Sequence, residues 1–296
     1  SFLWYCSKPD KLSKKIDTTR SKDSQKILSN EIANNSFVVI DSLVLRLLMK
    51  VFILDIGRGI SRIDSTKSYP SALAKDREGN SVMDWLLSAF DVLEHQEKIF
   101  VGGYHIEKII QNYPHLKFFY NPNWQTTGSL WSLLCAEKEL EGPCLISYSD
   151  VVYRPGVINS LLTNTGKNHL VAIATANFDK EKFLESDWNL FETVRVEKET
   201  IVQAIPNIGD EESLDKMSVF TGLCYFSEKG IQVLKEQIKQ FRDVQKKQSL
   251  SRGENIKKAG IIDVIQKIID ENIKVSSVDV TNKWAKIHNP LSLSRF

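Results

Sequence analysis

The chain has 296 residues, enough for one large α/β domain or two small ones with a sizeable core. Its 39 lysines and arginines stand against 37 acids, a net charge of +2, which gives no support to a nucleic-acid surface. Four scattered cysteines, Cys6, Cys135, Cys144 and Cys224, lack metal-ligand spacing and form no disulfide framework, so a reducing cytoplasm is the default expectation.

Ser1–Cys6 is apolar but lacks a basic leader and is shorter than a signal-peptide core of about 7–15 residues. Residues 8–36 are rich in Lys, Ser, Asp and Asn and read as a solvated or disordered segment. Residues 37–56 contain Asp41, Arg46, Lys50 and Asp55. Each charge costs up to roughly 3 kcal/mol at a helix centre and each apolar residue returns only about 0.3–0.6, so no membrane span is expected. The organisation expected is an appendage over residues 1–48 and one domain over residues 49–296.

From Met49 the pattern alternates. Val51–Leu54 predicts a buried strand, and the spacing of Val82, Trp85, Leu86, Ala89, Phe90 and Leu93 a helix from Ser81 to Leu93. Strand Lys98–Gly102, helix Ile106–Asn112, strand Leu116–Tyr120, helix Leu130–Leu140 and strand Cys144–Ser147 follow. Helix Pro155–Leu162 and strand Leu170–Ala174 complete a β-α succession that predicts an α/β fold. Its sheet is expected to be Rossmann-like and mainly parallel, with helices on both faces. Beyond it, Thr193–Val196, Thr200–Ala204 and Val219–Phe226 read as a small antiparallel region. Helix Gly230–Phe241, a polar loop, helix Ile261–Glu271 and strand Val275–Val280 end the series.

Three places carry chemistry. Gly57-Arg58-Gly59, with Arg62 close behind, follows the first strand, and a glycine loop there can offer backbone N–H groups to phosphate. Asp150 stands where strand Cys144–Ser147 runs out, placed either to hold Mg²⁺ against phosphate oxygens or to cap the next helix. Asn121-Pro122-Asn123-Trp124 leads into a helix through Thr126 to Ser129, which suits substrate recognition or an N-cap cluster. The spacing Gly57-x-Gly59-x-x-Arg62 puts arginine where a dinucleotide fingerprint wants glycine, which weakens a nicotinamide reading.

In order, these segments resemble the sugar-phosphate and choline-phosphate nucleotidylyltransferases, above all the cytidylyltransferases acting on small phosphates and phosphonates. The resemblance runs through Leu54, Gly57–Gly59, Tyr69–Leu73, Val101–Tyr104, Asn121–Trp124, Ser132, Ser147–Tyr153, Thr221–Leu223 and Trp284–His288. It implies Mg²⁺-dependent transfer of a nucleotidyl group, with CTP favoured, to a small phosphorylated or phosphonylated acceptor such as phosphocholine. It implies nucleotide binding by Leu54, Gly57, Arg58, Gly59, Gly103 and Tyr104, with Arg62 at the phosphates; Lys67, nearby in sequence, is the residue that could stand in for the family's phosphate-binding lysine. It implies metal binding by Asp150, and acceptor binding by Asn121, Trp124, Ser132 and Tyr153; His288, able to ligate a metal, stands where the family has its second metal ligand, an aspartate. A homodimer is left open.

The chain departs from that pattern at chemical positions. Asp55-Ile56 replaces Ala-Ala before the glycines, Ser71 stands where a lysine follows the proline, and Trp284-Ala285-Lys286-Ile287-His288 replaces Trp-x-Glu-Ile-Asp. Losing a lysine and a carboxylate weakens charge neutralisation. The alternative expectation is therefore a nucleotide- or headgroup-binding member of the fold with degenerate chemistry.

Overall fold

A computed structural model describes residues 49–55, 69–93, 96–164, 169–178, 191–205, 217–244, 255–287 and 293. Strand β1 (Lys50–Leu54) lies between β2 (Lys98–Gly102) and β4 (Cys144–Tyr148), parallel to both, and β3 (Lys117–Tyr120) extends the row beyond β2. Val51 to Leu54 are all fully buried, although successive side chains point to opposite faces. Both faces of the sheet are therefore covered, which is why this strand reads as an unbroken apolar run.

Helix α1 (Val82–Ala89) starts at a capping box. Ser81 Oγ accepts from Asp84 N–H at 2.9 Å and Asp84 Oδ2 accepts from Ser81 N–H at 2.7 Å. It ends four residues before the predicted Leu93. Turn bonds from Phe90 N–H to Leu87 O and from Leu93 N–H to Phe90 O still bury both side chains. Helix α2 (Ile106–Asn112) connects β2 to β3. The single helix expected to Leu140 is α3 (Ser129–Cys135) followed by a 3-10 turn at Glu137–Glu139.

The nine-stranded sheet is more mixed than the β-α alternation predicts. β6 (Val171–Asn177), reached through α4 (Val157–Asn164), runs in the same direction as β4 but is not its neighbour. Between them lies β9 (Ser218–Phe226), antiparallel to both. β10 (Val275–Asp279) pairs parallel with β6, and β7 (Thr193–Glu197) and β8 (Thr200–Ile205) close that side antiparallel. The late strand β9 takes the central position because its interior is buried throughout, from Val219 to Phe226. Helices α5 (Glu228–Val244) and α6 (Ile261–Asp270) pack on this half. No helix among the described residues is long and apolar enough to cross a membrane.

A second, two-stranded sheet has no counterpart in the predicted elements. β5 (Val151–Tyr153) pairs antiparallel with β11 (Trp284–Lys286), with Lys286 opposite Val151. A separate apolar cluster of Val82, Val152, Ile287 and Leu293 anchors this ribbon. It returns the end of the domain to the β4–β5 turn.

Candidate functional site

Because β1 to β4 are parallel, their carboxyl ends lie together, the usual ligand side of an open α/β sheet. Asp55 leaves β1 beside Ser149, which leaves β4. Ser149 N–H donates to Leu54 O at 3.0 Å, and Ser149 Oγ donates to Asp55 Oδ1 at 2.8 Å. Asp55 is buried, and that burial pushes its carboxyl up to about 7. The Ser149 hydrogen bond opposes the shift and the neighbouring Asp150 charge adds to it. The acid at the end of β1 is thus turned inward and holds a proton far above its ordinary range.

That proton has a consequence for stability. The folded pKa lies above the ordinary 3.8, so the folded state binds more protons between the two values, and stability is lost as pH rises from about 4 to about 7. Asp55→Asn keeps an acceptor for Ser149 and removes the ionisation. It is expected to stabilise the protein by up to roughly 4 kcal/mol at pH 8 and little at pH 4. Melting curves across this range check it; a gain equal at both ends contradicts it.

Asp150 occupies the turn between β4 and β5. Its carbonyl accepts from Ile287 N–H at 2.8 Å, and its Oδ2 lies 3.7 Å from Lys286 Nζ. Its Oδ1 is buried with no hydrogen-bond partner. A buried carboxylate oxygen left unpaired suits a cation. Yet the described residues contain no group of three or more His, Cys, Asp or Glu able to hold a metal. Among the described residues the site thus offers one carboxylate oxygen, a donor of the kind Mg²⁺ takes alongside water and phosphate.

The carboxyl ends of β2 and β3 build an aromatic wall. Tyr104 and Trp124, both partly exposed, lie with ring centroids 5.1 Å apart. Trp124 sits over Gly103, where a Cβ would come within 2.3 Å of the indole. Asn121, fully buried, ties the loop beneath. Its Nδ2 donates to Thr127 Oγ1 at 3.0 Å and Ser132 Oγ at 3.1 Å, and its Oδ1 accepts from Asn123 N–H at 3.0 Å. Asn121 and Ser132 thus face each other and hold the loop that carries Trp124. Asn121→Ala removes three hydrogen bonds and leaves buried groups unpaired, an expected loss of roughly 2–4 kcal/mol, measured by denaturant unfolding. A loss below about 1 kcal/mol contradicts the clamp.

Tyr153 is buried on β5 and donates to Thr221 O at 3.0 Å, so its hydroxyl serves the junction of β5 and β9. Tyr148 was carried by the sequence only as part of a longer motif. Its hydroxyl donates to Glu192 Oε2 at 2.9 Å and lies 3.1 Å from Ser129 Oγ. Lys286 Nζ sits 6.0 Å from its ring centroid. Burial holds this hydroxyl well above the ordinary tyrosine range. Glu192 carries no sequence signal, since it belongs to no motif and precedes a strand on the far side of the sheet. Gly57, Arg58, Gly59, Arg62, Lys67 and His288 lie outside the described residues. Their neighbours Asp55 and Ile287 both reach the Ser149–Asp150 turn.

No family model matches the sequence, and no curated protein does. Solved structures do match in fold. An inositol-1-phosphate CTP transferase from T. maritima is 16% identical, with a TM-score of 0.58 over 82% of this chain and 90% of that one. A CTP:phosphocholine cytidylyltransferase from Streptococcus pneumoniae is 12% identical, with a TM-score of 0.60 over 83% and 96%. A UDP-glucose pyrophosphorylase, solved with UDP-glucose, is 13% identical, with a TM-score of 0.59 over 83% and 96%. The chain shares the α/β fold of these nucleotidyl-transferring proteins across nearly their whole length.

Proposed function

We propose that the protein is a nucleotidylyltransferase that joins a nucleoside triphosphate, with CTP favoured, to a small phosphate or phosphonate such as phosphocholine. The observation that carries this reading is the meeting of three segments at one sheet end. Asp55 at the end of β1, the Asp150 carboxylate and the Lys286 ammonium all converge there. An acceptor oxygen attacks the α-phosphorus, the bond to the β-phosphate breaks, and pyrophosphate leaves. Such transfer depends on positioning and on neutralising phosphate charge.

Gly57, Arg58, Gly59 and Arg62 are assigned to the triphosphate through the resemblance of the sequence, with Lys67 as the stand-in for the family's lysine and Leu54, Gly103 and Tyr104 on the nucleotide side. Trp124 is assigned to the acceptor; Asn121, Ser132 and Tyr153 position the walls around it. Asp150 would hold Mg²⁺, which when bound spreads the charge of the phosphates. His288 is a candidate second ligand, although imidazole suits Mg²⁺ less well than oxygen does.

The test is pyrophosphate release with CTP, UTP or TTP against phosphocholine, inositol 1-phosphate, glucose 1-phosphate and aminoethylphosphonate, with Mg²⁺ or Mn²⁺. Turnover with one pair is expected, and none with any pair at high protein concentration contradicts the reading. A second reading, nucleotide binding without turnover, is favoured by Ser71. It is buried in a 3-10 turn where the resembling proteins carry a phosphate-binding lysine. Calorimetry showing CTP binding in a preparation without turnover selects it.

A further inference from the structure

Asp150 is the one carboxylate in the described part of the site with a free buried oxygen, and its other oxygen already faces a cation. The placement of that cation is built in. Lys286 lies on β11 opposite Val151 of β5, and the next residue, Ile287, donates its N–H to Asp150 O and buries its side chain beside Val82 and Val152. Both charged side chains are mostly buried, 15% exposed for Lys286 and 19% for Asp150, so solvent screens their attraction less than at an open surface. The second acid at this sheet end, Asp55, is committed to Ser149. A divalent ion approaching Asp150 therefore meets a carboxylate that is already neutralised, and Mg²⁺ gives up its own water reluctantly.

We infer that the Lys286 ammonium is a tethered cation at Asp150, so that Asp150 is no standing divalent-metal site in the free protein and a divalent ion reaches it only with the phosphates that carry it. The inference rests on the nucleotide-transfer reading of this site, but it concerns the residue's effect on cation binding and can fail separately. Lys286 Nζ lies 3.7 Å from Asp150 Oδ2, so on this inference a phosphate bound at Asp150 would share the same ammonium. Anion binding then persists, more weakly, when divalent ions are chelated.

The test is Mn²⁺ alone, followed by its own paramagnetic resonance signal, titrated into the full chain. Wild-type protein is expected to hold no more Mn²⁺ than Asp150→Asn does. Lys286→Glu, which sets a second carboxylate beside Asp150, is expected to bind one Mn²⁺ per chain at least about tenfold more tightly than wild type. That gain should vanish in Lys286→Glu combined with Asp150→Asn, and Mn²⁺ should raise the melting temperature of Lys286→Glu alone. Stoichiometric Mn²⁺ binding by the wild type that Asp150→Asn abolishes overturns the inference. So does a Lys286→Glu protein with native circular dichroism that binds Mn²⁺ no better than wild type. With CTP in EDTA, Lys286→Gln is expected to weaken binding about tenfold. Failure of CTP to bind under any condition sinks the nucleotide reading, while the Mn²⁺ titrations still decide the role of Lys286.

Discussion

Asp150→Asn is expected to lower the rate of pyrophosphate release by about 10²–10³-fold. The substitution preserves size and removes one negative charge. The backbone bond from Ile287 N–H to Asp150 O is untouched, so the β5–β11 ribbon should stay in place. Three changes follow from the charge alone. The unpaired Oδ1 no longer attracts a cation, Lys286 loses its anionic neighbour, and Asp55 loses one of the influences that raise its pKa. The loss should fall on kcat more than on the KM for nucleotide, because charge neutralisation matters most as the leaving pyrophosphate forms. The melting temperature should fall as well, because the mostly buried Lys286 ammonium loses its anionic partner at Asp150 Oδ2. Steady-state rates beside a thermal melt check both halves. Activity within about threefold of wild type would remove Asp150 from the chemistry.

Gly103→Ala is the second large effect. A Cβ at this position lies 2.3 Å from Trp124 Cδ1, 2.5 Å from Trp124 Cγ and 2.6 Å from the backbone oxygen of Asn121. The indole can swing away, but the carbonyl cannot retreat freely. Asn121 N–H is bonded to Gly102 O at 2.8 Å, and its side chain is fixed by Thr127, Ser132 and Asn123. Overpacking of this kind costs about 1–3 kcal/mol. In a domain of this size that lowers the melting temperature by roughly 5 °C. The displaced Trp124 should also break its contact with Tyr104 and raise the acceptor KM more than it lowers kcat. An alanine variant with an unchanged melt and unchanged acceptor KM contradicts the packing described.

Much of this fold could be read before any coordinates, and the reasons are local. β1 announces itself as four consecutive apolar residues because both faces of the sheet are covered. α1 starts at Ser81 because a serine with an acid three residues on satisfies the first helical N–H groups. What escaped is non-local. β5 and β11 are three residues each, too short to show a period, and exist because they pair with each other across more than 130 positions. The place of β9 between β4 and β6 depends on long-range pairing that no window of sequence contains. At the site, Asp150 was legible as an acid at a strand end. Its meeting with Lys286 was not, because only the β5–β11 ribbon brings the two together. Asp55 reads from sequence as a charge repelling phosphate. Burial and the Ser149 hydroxyl change that meaning. Asn121 reads as a ligand-facing polar residue, yet its hydrogen bonds turn it into the clamp of its own loop.

A crystal structure with CTP and Mg²⁺ asks directly whether one cleft gathers these segments around a nucleotide. The triphosphate is expected over the carboxyl ends of β1 and β4, with the metal on Asp150 Oδ1 and the Lys286 ammonium within ion-pair reach of a phosphate oxygen. A nucleotide bound on another face, with Asp150 still joined only to Lys286, would contradict it.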